Sequence, residues 1–439
     1  DEDMVNIQRN NLIDSGSPNP SVETLLHAFL PHKFVDHTHS TPFLILANLP
    51  DAKKICYKIF GDSLAIVPYI MPGFKLAKKA VEIYEKNPSV KGMLLLNHGH
   101  FTFGKTAEES YRRVIEQTNK VAAFFSLKKE LELGKRHPTK NLYMIPKIRG
   151  LIADISLGKN DPMPIIDLRN SKQVLNLLND KNLSKLENRG MASPDHVIRT
   201  KGAPLHIKNI ADYQDEKVLK KHIESFSSRY IKYFNRQSKR ADEKKSILTA
   251  DPKHGWLRSI GVIGVGKNAK EASATADLAE QNLHIRIISE KFGGFYPIKE
   301  KDMFDCEYWS LEQAKLGKGK PPAFEGKVVI VTGGAGTIGL ETAKAFSRLG
   351  ANILLVDNNQ KLLDIALSKL TQWDKSFCCD ITDKNSAKKA MEAAIWNFGG
   401  LDILVSNAGN APSGQLINLP DKKLRESFEL NFFAHQSFS

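Results

Sequence analysis

Cysteine is scarce. The 439 residues hold four, Cys56, Cys306, Cys378 and Cys379, with no repeated spacing. That argues against a disulfide framework and a cysteine zinc site, and suits a reducing cytoplasm. Long apolar runs are also lacking: no stretch of about 18 apolar residues occurs, so no membrane span is expected. The start, DEDMVNIQRN, is acidic and polar without an apolar core, so it is not a signal peptide, and it has no initiator Met. The end, LNFFAHQSFS, stops inside a helical pattern with no cap. The chain is therefore read as an internal piece of a longer protein. Nor does the excess of 63 Lys and Arg over 49 Asp and Glu form a stripe. Lysines alternate with acids, as in SLKKELELGK and RADEKKSIL, and no aromatic-basic pattern accompanies them. Solvated helix faces explain the net charge of +14, with phosphorylated metabolites as a second use; no nucleic-acid partner is expected.

What is present is an ordinary globular composition, 41% hydrophobic and 26% charged, on a chain long enough for two or three domains. Residues 1–135 alternate short apolar runs (PFLILANL, KGMLLLNHG) with amphipathic stretches (ESYRRVIEQTNKVAAFF). Residues 136–320 are more basic and irregular, then recover that rhythm. Residues 321–439 follow KLGKGKPPAFEGK, which reads as an interdomain linker. A short internal repeat aligns Gly104, Lys105, Ala107 and Glu109 with Gly266, Lys267, Ala269 and Glu271. In that alignment His98 falls on Ile260, which makes 136–320 a structural relative of the first region rather than a second metal site.

In VDHTHS, His37 and His39 are spaced i, i+2, so on a strand both face one side while Asp36 and Thr38 face the other. Alone, such a pair reads first as polar strand surface. A third histidine, His98, follows the apolar run GMLLL at the point where a strand would meet a turn. Three imidazoles with an open fourth position is the arrangement of a catalytic zinc. Upstream, Glu23 and His27 are spaced i, i+4 on one helix face.

The ordered set Ser21-Val22-Glu23, His37-Thr38-His39 and Asn97-His98-Gly99 with Gly104 resembles the class II aldolase/adducin family over residues 18–130. The resemblance implies that His37, His39 and His98 bind Zn²⁺ and that Glu23 is the acid/base. A divalent ion stabilises the enediolate charge of a retro-aldol cleavage, and a nearby carboxylate can move the proton. His27, His32 and His100 are expected to be packing or supporting residues. The family's phosphate loops have no counterpart here except Ser21, and Val22 replaces a hydroxyl often found beside it.

The strongest signal is GKVVIVTGGAGTIGLETAKAFSRLGANILLVD: buried strand, glycine turn, amphipathic helix ended by Gly350, then a second strand ending in Asp357. Glycines let the backbone approach a pyrophosphate seated on the helix N-terminus. Asp357 can accept from both ribose hydroxyls and repel a 2′-phosphate, favouring NAD over NADP. The segment resembles the short-chain dehydrogenases. That resemblance implies cofactor binding by Gly333, Gly334, Gly336, Ile338 and Gly339, by Asp357, by Asp380 in CCDITD, and by Asn407, Ala408 and Gly409. It implies a catalytic role for Asn431. Thr337 takes the place of the family's middle glycine. No tyrosine follows Tyr308, so the family's catalytic Ser and Tyr-x-x-x-Lys are not in these residues.

The expected fold class is α/β throughout: an α/β/α domain of the class II aldolase kind, followed by a doubly wound Rossmann-type domain incomplete at its C-terminal side. The order of domains, with ASPDHVIRTKGAPL and FDCEYWSLEQAKL between them, resembles the bifunctional rhamnulose-1-phosphate aldolase/alcohol dehydrogenases. This implies cleavage of a ketose 1-phosphate to dihydroxyacetone phosphate and lactaldehyde, with NAD-dependent oxidation of the aldehyde. The implied partners are small molecules, a phosphorylated sugar and an aldehyde, with no membrane, and a homo-oligomer. Pentulose-phosphate epimerases, sugar-acid aldolases and metal-free adducin-like scaffolds share the first domain; intact His37, His39 and His98 argue against the last.

Overall fold

Short apolar runs bounded by glycine, proline or polar turns form strands here, and the longer amphipathic stretches form the helices that cover them. The computed structural model describes all residues except 128–133, 157–161, 242 and 315–319. The KLGKG portion of the expected linker lies outside the described residues. Among those described, twelve strands make three four-stranded sheets, in an α/β arrangement throughout.

The first sheet contains β1 (Phe34–Thr38), β2 (Ala65–Val67), β3 (Gly92–Leu95) and β4 (Gly99–Gly104), in the order β1-β4-β3-β2. β4 is antiparallel to both neighbours, and β2 is parallel to β3. The second sheet repeats this plan with β5 (Ile165–Arg169), β6 (Leu205–Ile207), β7 (His254–Leu257) and β8 (Gly261–Gly266), ordered β5-β8-β7-β6 with the same directions.

The repeat reaches individual bonds. Asn97 and Ser259, each two residues before the matching strand, share a left-handed conformation with φ 55° and 63°. Glu109 N–H donates to the Thr106 hydroxyl and Glu271 N–H to the Asn268 side-chain Oδ1, so both following helices are capped alike. The Asn48 amide donates to Leu44 O, and the Asn179 amide to Leu175 O, at matching helix ends. The region that reads as irregular in sequence is thus a second copy of the first sheet, its signal diluted by substitutions on the same backbone.

Register shows what the second copy replaced. His37 pairs with Phe101, and Leu168 pairs with Ile263 at the corresponding rung. Leu168 therefore stands where His37 does, Asn170 follows where His39 does, and Ile260 matches His98.

The third sheet is β9 (Val328–Thr332), β10 (Asn352–Asp357), β11 (Lys375–Cys378) and β12 (Ile403–Val405), all parallel in the order β11-β10-β9-β12. Parallel strands are covered on both faces, which is why VVIVT and ILLV are continuous apolar runs and fully buried. Chain order reverses between β9 and β12, and a crevice opens there at the strand ends.

The three sheets do not stand on separate cores. One cluster joins Phe43, Leu46 and Val121 to Leu186, Leu283 and Ile287 across the two copies. Another joins Ile165 and Ala272 to Val328, Ile330 and Phe398. At that second seam Arg149, buried, forks onto Asp402 at 2.7 and 3.2 Å and donates to Gly326 O at 3.0 Å. The same Asp402 accepts from Val328 N–H at the root of β9, so one carboxylate fixes both the seam and the strand.

Candidate metal centre and dinucleotide cleft

His37 is on β1. His39 lies one residue beyond it, because the strand ends at Thr38 rather than running through the H-x-H pair. The two rings still share a side, with centroids 4.5 Å apart. His98 comes from the β3–β4 turn, aimed by the left-handed Asn97, a residue type that tolerates this conformation. One ligand atom from each of the three imidazoles lies within 4.8 Å of the others.

Gly99 makes that convergence possible: a Cβ there would stand 2.5 Å from His39 Cδ2 and 2.8 Å from His37 Cε1. The glycine of N-H-G is thus space for imidazoles. His37 Nδ1 lies 3.1 Å from His100 O, to which it can donate, and its ring stacks on Phe101 at 4.0 Å. That bond fixes the tautomer and leaves the Nε2 lone pair free to ligate. Nε2 of His37 is buried without a hydrogen-bond partner. A pinned neutral imidazole with an orphaned buried nitrogen, in a set of three, fits a divalent ion.

Glu23 caps the helix Thr24–Phe29 rather than lying inside it, its N–H donating to Ser21 Oγ at 3.2 Å. Its Oε1 is 2.9 Å from His98 Nε2, and its Oε2 is 3.8 Å from His37 Nε2. Burial alone would raise its pKa, but contact with His98 and the nearby His37 and His39 outweigh it and hold the carboxyl below the ordinary range. Burial likewise keeps His37 well below the usual imidazole value.

The remaining histidines of this half pack. His27 Nδ1 meets Val35 O at 3.2 Å, His32 stacks on Phe103 at 4.2 Å, and His100 is buried against Phe43 with Nε2 2.6 Å from Gln117 Oε1.

Sequence reasoning missed residues that the second copy brings to this centre. Asp195 Oδ2 lies 3.5 Å from His39 Nε2, and Gln281 donates to His39 O at 2.9 Å. Beside Glu23, a narrow recess is lined by Val22, Pro72, Pro194, Asp195, Cys306 and Trp309. The only signal for Asp195 was its place in ASPDHVIRT, without a spacing rule tying it to the histidines.

The second candidate site is a cleft of about 430 Å³ at the crevice between β9 and β12. Gly333, Gly336, Ile338, Gly339, Asp357, Asp380, Asn407, Ala408 and Gly409 all line it, together with Thr337 and Leu430. Two glycines are required. Gly333 has φ +61°, and a Cβ on Gly339 would stand 2.3 Å from Gly333 O. Thr337, at the altered position, is simply the first helical residue after the Gly336 cap.

Gly334 departs from its expected place: it is buried against Val331 O and Leu355 and does not line the cleft, because its N–H is taken by Val356 O. Asp357 already accepts from Ala335 N–H through Oδ2 and Asn359 N–H through Oδ1, which turns the carboxylate over the glycine turn. Asp380 accepts from Thr382 N–H and hydroxyl. Asn407 donates to Thr332 O at 2.9 Å and so pins β12 to the turn. Asn431 sits in a π-turn, Glu429–Phe433, outside the cleft lining. Its side chain accepts from Asn410 N–H and donates to Asn410 O, holding the strand-end loop. His435, not singled out by sequence, backs that loop through Ala408 O at 2.6 Å.

Comparison with known proteins finds three family matches along the chain. Residues 1–122 match the class II aldolase and adducin N-terminal domain, residues 139–316 the class II aldolase second domain, and residues 327–439 the short chain dehydrogenase family. The chain thus carries class II aldolase domains fused to a short-chain dehydrogenase domain. Among relatives, it is 31% identical over 436 residues to a Bacillus subtilis protein described as the uncharacterized oxidoreductase YuxG, covering 94% of this chain and 62% of that one. The dehydrogenase part is 38% identical over 116 residues to short-chain dehydrogenase reductase 5 of Arabidopsis thaliana, 26% of this chain and 45% of the relative. A solved class II aldolase domain from Thermoplasma acidophilum is 39% identical, covering 28% of this chain and 56% of that one, with TM-score 0.26. The chain spans about 62% of the length of its full-span relative and under half of the dehydrogenase. Among the described residues, no helix is long and apolar enough to cross a membrane.

Proposed function

We propose that the first half cleaves a ketose 1-phosphate, rhamnulose 1-phosphate, to dihydroxyacetone phosphate and lactaldehyde, and that the dehydrogenase unit binds NAD for oxidation of the aldehyde. The observation that carries the reading is the convergence of His37, His39 and His98 with the Glu23 carboxylate 2.9 Å from His98. A zinc ion held by the three imidazoles would supply Lewis-acid stabilisation of the negative charge that develops next to the carbonyl. Glu23 is the group placed to carry the proton, taking it from the substrate hydroxyl and returning it to the carbon that leaves as a carbanion. Its ionised form, favoured by the surrounding imidazoles, suits it to begin as base.

In the second unit the Gly333–Gly339 turn and the start of the following helix would receive the pyrophosphate. Asp357 would hold the ribose and oppose a 2′-phosphate. NAD would supply the hydride acceptor. No tyrosine lies beyond Tyr308 among these 439 residues, so the reading assigns nucleotide binding to named side chains and names no proton carrier for the oxidation. The homo-oligomer and the cytoplasmic location remain part of the proposal, supported by the resemblance and by the scarcity of cysteine. The ketose is assigned from the fused order of domains rather than from a side chain contacting it.

Incubating the zinc-loaded protein with rhamnulose 1-phosphate tests the reading by release of dihydroxyacetone phosphate. Inert substrate, with epimerisation of a pentulose phosphate instead, would replace it with the epimerase reading.

A further inference from the structure

A separate cavity of about 300 Å³ lies in the second aldolase copy and shares no lining residue with the metal centre's recess or the dinucleotide cleft. Its apolar wall is Phe226, Tyr230 and Met303, and its mouth carries Arg229, Lys232 and Arg236. These three cations come from one helix, Glu216–Ser238, at spacings of three and four that put them on one face.

Their charges are not equally matched. Arg236 is satisfied by a fork onto Glu300, at 2.9 and 2.8 Å. Arg229 donates only to the neutral Ser225 hydroxyl at 3.1 Å, and among the described residues neither Arg229 nor Lys232 pairs with a carboxylate. Two uncompensated positive charges one helical turn apart therefore face a cavity with an aromatic wall.

The opposite edge is Lys201-Gly202-Ala203. Lys201 holds φ +59°, a conformation that L side chains rarely adopt. Its ammonium is committed inward, donating to Asp251 O at 2.6 Å over the Tyr230 ring at 4.1 Å, so it holds the edge in place rather than meeting a ligand. Gly202 is half-buried, and a Cβ built on it would meet only the Met303 thioether end, at 3.5 Å. Strain held at the edge of a cavity is where ligand contacts concentrate.

We propose that this cavity binds a small organic phosphate, with the phosphoryl group at Arg229 and Lys232 and the carbon skeleton against Phe226, Tyr230 and Met303. The charge count supports a phosphate monoester, which carries about −1.5 to −2 at neutral pH and matches two free cations. The cavity belongs to the copy that lacks the three histidines, so such a site adds a ligand to that half without adding metal chemistry.

The test is isothermal titration of the full 439-residue chain, stripped of metal by a chelator, with glycerol 1-phosphate and with a ketohexose 1-phosphate. At least one ester should bind, and its unphosphorylated parent should not. Replacing Arg229→Ser with Lys232→Ser should weaken binding at least about tenfold, the loss expected for removing charge-assisted bonds. Replacing Lys220→Ser with Lys221→Ser removes the same charge from exposed positions of the same helix and should leave affinity unchanged. All four side chains are exposed, and an unchanged melting temperature confirms folding. The proposal is overturned if neither ester binds, if both double variants lose affinity equally, or if the Arg229/Lys232 variant binds like the parent chain.

Discussion

Asp195 Oδ2 lies 3.5 Å from His39 Nε2, so a carboxylate from the second copy faces an imidazole of the first. The copy that lost its own histidines still borders the centre that kept them. Removing that carboxylate should therefore act on the metal. Asp195→Asn is expected to weaken zinc affinity about 10- to 100-fold, the usual effect of losing a carboxylate beside a ligating histidine. Competition against a chelator measures this, and unchanged affinity would make Asp195 a bystander.

His37→Ala and His98→Ala should each abolish zinc retention after gel filtration, because two imidazoles are too few to hold a catalytic ion. Full zinc content in either variant by metal analysis would remove the proposed centre.

Glu23→Gln should keep zinc and lower the rate of ketose phosphate cleavage roughly 10²- to 10⁴-fold, the range for a lost general acid/base. If metal and activity disappear together, Glu23 is a ligand and the proton carrier lies elsewhere.

The 439-residue chain should bind NAD in preference to NADP and oxidise no aldehyde. Gly339→Ala should remove nucleotide binding, since the added Cβ would press on Gly333 O at 2.3 Å. Fluorescence titration reads both parts. A preference for NADP would contradict the role of Asp357, and measurable aldehyde oxidation would overturn the account of the second unit.

Acid should destabilise the protein through His254. Burial, helped by the Arg286 charge and opposed by the contact with Thr200 O, pushes its pKa from 6.5 down to about 3. Above pH 6.5 the ring is neutral in both states and contributes no pH dependence. As pH falls from there toward 3, the unfolded chain takes up a proton that the folded one refuses, and stability falls. The melting temperature should drop across that window, and His254→Gln should flatten the slope. Equal slopes for the two proteins would show that other groups carry the acid response.

Much of this molecule was legible in its residues because the relevant signals are local. The β9 strand, the glycine turn and Asp357 follow one another within about thirty residues, and periodicity and backbone freedom define them without reference to anything distant. The histidine set was legible only through its resemblance: the His37/His39 spacing alone reads as polar strand surface, and the ordered motifs with His98 supplied the grouping that the fold brings together. What the sequence could not rank was contact across long separations. Gly334 and Gly339 look alike in the motif and both are buried, yet only packing turns one against Val331 and Leu355 and sets the other at the cleft. The resemblance implies a catalytic role for Asn431, and only the fold shows that its side chain also clamps Asn410. The second copy of the sheet was nearly erased as a pattern because its register is kept by backbone pairing, which side-chain changes such as His37 to Leu168 leave intact. Asp195 reaches His39 from 156 positions along the chain only because the two sheets share a core, and that closure is a property of the folded molecule rather than of any stretch of it.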